Sequence, residues 1–251
     1  MQQVSTIMLS PHKKSQVLRV EDWQQVVVED LESIGLPSRQ PVLVIIGGAS
    51  QLTDTIFQQI QGFFVEVLAP IAEKLQAVVV DGGTDAGVMR LMGRARTQIL
   101  GTFPLVGVLP LGLMTLPGES SQSEQHAPLE PNHTHFVLVP GDNWGDESIA
   151  LAQTATLVSA GAPSITVMLN GGAITWKDAV NNVGEDRLLL VINGSGRAAD
   201  DLSAVAKGES GSELAMALVK TGLVEVVDLT TNNETIRQQI ETIFLGALGG
   251  G

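Results

Sequence analysis

Along this chain, short unbroken apolar runs alternate with longer stretches in which apolar residues recur every three or four positions. The runs QVLRV (16–20), VLVII (42–46), AVVVD (77–81), LVGVL (105–109), HFVLV (135–139), SITVML (164–169), RLLLVI (187–192) and LVEVV (223–227) predict strands. Most lack polar alternation, which is the pattern of strands covered on both faces. Helical periodicity falls at 22–34, 52–75, 88–98, 146–160, 173–181, 197–206, 212–220 and 233–245. This alternation predicts an α/β fold, a Rossmann-like three-layer α/β/α domain around a mainly parallel sheet. Residues 1–40 are expected to add a strand and helix at the edge of the domain formed by 41–251, with no linker between them. The polar stretch PGESSQSEQHAPLEPN (117–132) suits a long loop, either a flap or a surface insertion. The tail GALGGG (246–251) suits a frayed end.

In a parallel sheet with right-handed crossovers, every loop after a strand emerges on one edge. Here five such loops carry glycine: GGAS after Ile46, DGGTDAG after Val80, PGDNWGDES after Val139, NGGAI after Leu169 and NGSGRAAD after Ile192. Each can lead into a helix whose free N–H groups face the crevice. Tight βα turns need glycine on their own account, so a single loop says little. The set favours a phosphate-bearing ligand held by Gly47, Gly48, Ala49, Gly82, Gly83, Thr84, Gly171, Gly172, Gly194, Ser195 and Gly196. The second turn matches neither G-x-G-x-x-G nor the Walker pattern. Asp85 is suited either to capping the following helix or to meeting a ribose hydroxyl.

Cations are scarce, and none lies between Arg96 and Lys177. Arg197 follows GSG at a helix start, where a cation gains nothing from the helix dipole, so a role on a phosphate or base is favoured. Arg90 is a second candidate, equally well explained as an exposed helix residue. Trp144 suits a base-stacking wall or an anchor packed on the core. His133 and His135 share a face at strand spacing, but they enter their strand, at the edge opposite the glycine loops. Asp142, Asp146 and Glu147 lie beyond that strand's far end, and no third ligand is evident. Structural hydrogen bonding is therefore expected rather than a metal site. No Ser/His nucleophile signature and no pair of carboxylates in distinct environments stands out.

Composition narrows the partners. The net charge is −13 with 14 Lys plus Arg, which repels a nucleic-acid backbone and leaves anions to be held locally. There is no cysteine, hence no disulfide, thiol nucleophile or Cys-ligated metal. No secretory signal is visible, and the charge-free segment 99–118 carries three prolines and four glycines, unlike a membrane span. The expectation is a cytoplasmic protein without membrane insertion.

Three motifs in order, VVVDGGTDAGVMRLMG, LEPNHTHFVLVPGDNWGDES and VINGSGRAADDLS, resemble the SLOG superfamily. The resemblance is to the cytoplasmic domain of melastatin-type TRP channels and its free-standing bacterial forms, and is specific over about 41–203. It implies a Rossmann-like fold and a small-molecule nucleotide ligand, ADP-ribose, NAD or a related derivative, with no further cofactor. It points to Gly82, Gly83, Thr84, Gly87 and Met89 in the second turn, to Gly194, Ser195, Gly196 and Arg197, and to Gly47 and Gly48. The channel versions carry arginines on the helix after the HTHF strand, whereas SIALAQTATLVS (148–159) has none, which implies a less charged ligand. The related Lonely-guy phosphoribohydrolases carry PGGxGTxxE; DGGTDAGVM lacks that glutamate, although Asp81 or Asp85 could act as an acid–base group. A ligand sensor is thus expected first, with a nucleotide N-glycosidic hydrolase or an oligomerisation scaffold as alternatives, and a homo-oligomer compatible with each.

Overall fold

The computed structural model describes residues 2–48, 53–116 and 126–248, the last four of them by backbone alone. Nine strands form one sheet: β1 (Gln3–Ser10), β2 (Lys13–Arg19), β3 (Val42–Gly47), β4 (Val78–Asp81), β5 (Leu105–Pro110), β8 (His135–Val139), β9 (Ser164–Leu169), β10 (Leu188–Asn193) and β11 (Val224–Asp228). Two residue pairs, β6 (Met114–Thr115) and β7 (Ala127–Pro128), make a small separate ribbon. The strand order is β1-β2-β8-β5-β4-β3-β9-β10-β11. All pairings in the large sheet are parallel except β1 with β2.

The helices are α1 (Val28–Ser33), α2 (Asp54–Phe63), α3 (Ala69–Leu75), α4 (Gly87–Gln98), α5 (Ser148–Ser159), α6 (Ala173–Gly184), α7 (Arg197–Ala206), α8 (Glu213–Lys220) and α9 (Asn233–Leu248). They cover both faces of the sheet, which explains the unbroken apolar runs. Val42, Val44 and Ile46 point into one core with residues of α1, α5, α6, α7 and α8. The intervening Leu43 and Ile45 join Phe63, Leu91 and Ile240 in the core under α2, α4 and α9. Alternate residues of a strand lie on opposite faces, so each apolar pair serves two layers.

Two expectations change at the amino end. Gln3–Ser10 forms a strand where none was expected, and it pairs in a hairpin with the extended first strand. The predicted helix over 22–34 is broken into a 3₁₀ turn at Trp23–Gln25 and the short α1. Val26 and Val27 between them are extended, as β-branched residues favour. The expected helix 52–75 also changes gait, running through a π turn at Phe64–Leu68 into α3. Pro70 sits in the first turn of α3; it has no N–H to give and its ring crowds the carbonyl four residues back, so the wider turn absorbs it. No helix among the described residues is long and apolar enough to cross a membrane, and Leu105–Pro110 of the charge-free segment is a buried strand.

Candidate functional site

The chain leaves β3 toward β4, β5 and β8, then crosses back to β9, β10 and β11 on the other side. Strands β3 and β9 are therefore neighbours whose following helices pack on opposite faces, α2 with one core and α6 with the other. Loops that diverge in this way open a crevice at the carboxyl ends of the strands. A cavity of about 520 Å³ lies there.

Gly47 and Gly48 after β3, and Gly171 and Gly172 after β9, form its central walls. Gly82, Thr84 and Met89 come from the turn after β4, Trp144 from the loop after β8, and Arg197 from the start of α7. At Gly47 the backbone is left-handed, with φ +142°, and a Cβ would sit 1.9 Å from the carbonyl oxygen of Leu169. Only glycine lets the two strands end this close together. The guanidinium of Arg197 lies against Gly172, 2.9 Å from where a Cβ would stand, at the amino end of α6.

Other residues expected at the site are turned elsewhere. Gly83 packs on β5: a Cβ on Gly107 would come within 2.5 Å of the Gly83 Cα. Gly87 begins α4 and does not line the cavity, nor do Gly194, Ser195 and Gly196. Ser195 is buried, accepts the Asn170 N–H at 2.8 Å and donates to the Ile192 carbonyl at 2.6 Å, which ties the turns after β9 and β10 together. Ala49 lies outside the described residues. Asp85 does not cap α4, whose capping residue is Ala86; it pairs at 2.6 Å with Arg90, and neither is among the cavity's lining residues.

The turn after β4 is held from behind by the segment before β8. Thr84 bridges Leu129, the Asp85 N–H donates to the Pro128 carbonyl at 2.8 Å, and the Glu130 N–H donates to the Gly83 carbonyl at 2.9 Å. Beneath this strap, His133 precedes β8 and makes the expected structural hydrogen bonds, with its ring reaching the end of β4. Its Nε2 meets Asp81 Oδ1 at 2.8 Å and its Nδ1 meets Glu130 Oε2 at 2.9 Å, with the ring fully buried. Asp81 Oδ1 also accepts the Gly83 N–H at 2.7 Å, so the imidazole acts on the glycine turn through one carboxylate. Burial pushes the His133 pKa down, but Asp81 and then Glu130 outweigh it and lift it to about 9. His135 is separate, pushed down to about 4 by burial. No cluster of three or more potential metal ligands occurs among the described residues.

Among the lining residues that were not anticipated are two carboxyls, Glu147 and Asp178. Glu147 immediately precedes α5 and accepts the Gly145 N–H at 2.7 Å. Asp178, in the second turn of α6, accepts the Ser148 hydroxyl at 2.5 Å. Both are buried. Burial raises the Glu147 pKa, and burial followed by the nearby Glu147 charge raises that of Asp178 to about 7. No such pair stood out in the sequence. A signal was present: Thr175, Asp178 and Asn182 fall at helical spacing on the inward face of α6.

Fold and site together define a Rossmann-like α/β domain with a crevice at its topological switch point. The family model for SLOG in TRPM, prokaryote, matches residues 40–237, and the chain belongs to that family. It is 23% identical to the rat transient receptor potential cation channel subfamily M member 2, over 89% of this chain and 18% of the channel. A member-like 2 channel protein of Nematostella vectensis is 25% identical over 74% of this chain and 14% of its own. The chain thus spans under a fifth of the length of these relatives. The crystal structure of TM1055 superposes with a TM-score of 0.52 at 19% identity, covering 81% of this chain and 99% of that one, which shows the shared fold.

Proposed function

We propose that this domain binds an NAD-derived nucleotide of the ADP-ribose class and serves as a ligand sensor. The observation that carries the reading is the cavity itself. It opens at the switch between β3 and β9, where doubly wound sheets take nucleotides. Glycine turns let backbone N–H groups approach a phosphate there, the amino end of α6 adds its dipole, and Arg197 adds a guanidinium fork. Membership in the SLOG family supports the same class of ligand.

The test is a thermal-shift screen of ADP-ribose, NAD, cyclic ADP-ribose and AMP, followed by product analysis of each mixture. A ligand that binds only the native state raises Tm by mass action. Stabilisation without turnover is expected, and Arg197→Ala should weaken it markedly while the chain still folds. Release of free base and ribose phosphate would replace the sensor by a hydrolase. No response to any of the four would overturn the nucleotide reading.

A further inference from the structure

The carboxyls of Glu147 and Asp178 have no part in holding a phosphate, which they would repel. One precedes α5 and the other lies on α6, yet they line one cavity, with relative exposures of 6% and 8%. Each uses an oxygen on a local donor, the Gly145 amide and the Ser148 hydroxyl. Lys177, the nearest cation on α6, gives its ammonium to the Gly145 carbonyl, and Asp146 is bonded to the amides of Asp142 and Asn143. Buried carboxyls that line a cavity are well placed to accept hydrogen bonds from a polar ligand.

Resting on the nucleotide reading, we propose that Glu147 and Asp178 take the vicinal hydroxyls of the ligand's ribose while Arg197 takes its phosphate, so that the cavity selects ribonucleotides over deoxyribonucleotides. The two poles lie along one helix. Arg197 meets the amino end of α6 at Gly172, and Asp178 is six residues further on, roughly 9 Å along the axis at 1.5 Å per residue.

Proton chemistry decides which part of a nucleotide fits the acidic pole. Two carboxyls buried together do not both ionise readily, and burial pushes both up, Asp178 to about 7, so near neutrality the pair takes up a proton readily. It then presents acceptor oxygens and an O–H donor at once. Each hydroxyl of a cis-diol both donates and accepts, which matches that set. An amino group offers only donors here and leaves the shared proton unanswered; a phosphate offers only acceptors.

Calorimetric binding of AMP, 2′-deoxy-AMP and 3′-deoxy-AMP to the wild-type chain tests this without any variant. AMP should bind about tenfold or more tightly than either deoxy form, the scale of a lost hydrogen bond to a buried carboxyl. Asp178→Ala and Glu147→Gln should bring that ratio to within about threefold, with Asp178→Asn, which keeps a donor and an acceptor, recovering part of it. Arg197→Ala should weaken all three nucleotides alike and preserve the ratio. Equal binding of AMP and the deoxy forms by the wild-type chain, or an unchanged ratio in folded Asp178→Ala, would overturn the assignment and leave the nucleotide reading standing. Failure of all three to bind, together with no response to ADP-ribose, NAD or cyclic ADP-ribose, would remove both.

Discussion

Raising the pH through 9 should weaken this fold by discharging a single buried imidazole. His133 is fully buried between Asp81 and Glu130, and its pKa moves from 6.5 to about 9 on folding. A raised pKa means that the native state holds a proton the unfolded chain has released. The stabilisation is fully present below about pH 6.5 and is lost as pH rises through 9. The displacement corresponds to about 3 kcal/mol in all, and about 2 kcal/mol of it disappears between pH 7.5 and 9.5.

Neither cysteine nor tyrosine, both absent from the chain, contributes to that window. Asp178 titrates below it, at about 7, and Arg187 above it, at about 10. The assay is urea unfolding followed by circular dichroism at half-unit pH steps, on the wild-type chain and on His133→Gln. With a slope of about 3 kcal/mol/M, the wild-type midpoint should fall by roughly 0.7 M across the window. The glutamine variant should be less stable at pH 7 but nearly flat. A flat wild-type profile, or the same slope in both proteins, would show that the imidazole is not charged between its carboxylates.

Two further substitutions separate packing from ligand contact. Gly107→Ala places a methyl 2.5 Å from the Gly83 Cα and 2.9 Å from the Phe136 ring; it should cost about 3 kcal/mol in urea unfolding, since a backbone neighbour cannot step aside. Arg90→Ala breaks a half-exposed ion pair with Asp85 and the guanidinium's hydrogen bond to the Asp85 carbonyl, so stability should change by less than about 1 kcal/mol and the nucleotide affinity measured by calorimetry should not move.

The central sheet was legible because strands buried on both faces need no alternation and so stand out as plain Val, Ile and Leu. Val42–Gly47 and Ser164–Leu169 fall where those runs predict. The edge strand Gln3–Ser10 escaped because most of it is exposed, leaving no apolar run to see. The glycine turns could be placed on one edge by topology alone, yet which glycines face the cavity is a matter of packing. Gly82 lines it while its neighbour Gly83 meets Gly107. His133 leads into β8 where expected, but the reach of its buried ring to Asp81 was not visible in the sequence. The acidic pair is the hardest case, since Glu147 and Asp178 lie far apart in sequence and meet only where α5 packs on α6.

The charges lining the cavity bear on which phosphates it prefers. Arg197 is the one Lys or Arg among the described lining residues, and α5 supplies none. Opposite it stand two buried carboxyls that any added negative charge must approach. A terminal phosphate carries nearly two charges at neutral pH, whereas a phosphate esterified on both sides carries one. A diphosphate bridging two sugars therefore brings two phosphates into the glycine turns at a lower total charge than ADP does. Backbone N–H groups and a helix end suit such a group, because they bind oxygens by direction rather than by net charge. ADP-ribose should accordingly bind more tightly than ADP, and ADP more tightly than ATP, in calorimetry at fixed salt. The reverse order, with affinity climbing at each added terminal phosphate, would mean that cations beyond Arg197 reach the ligand and that the acidic pole lies outside its range.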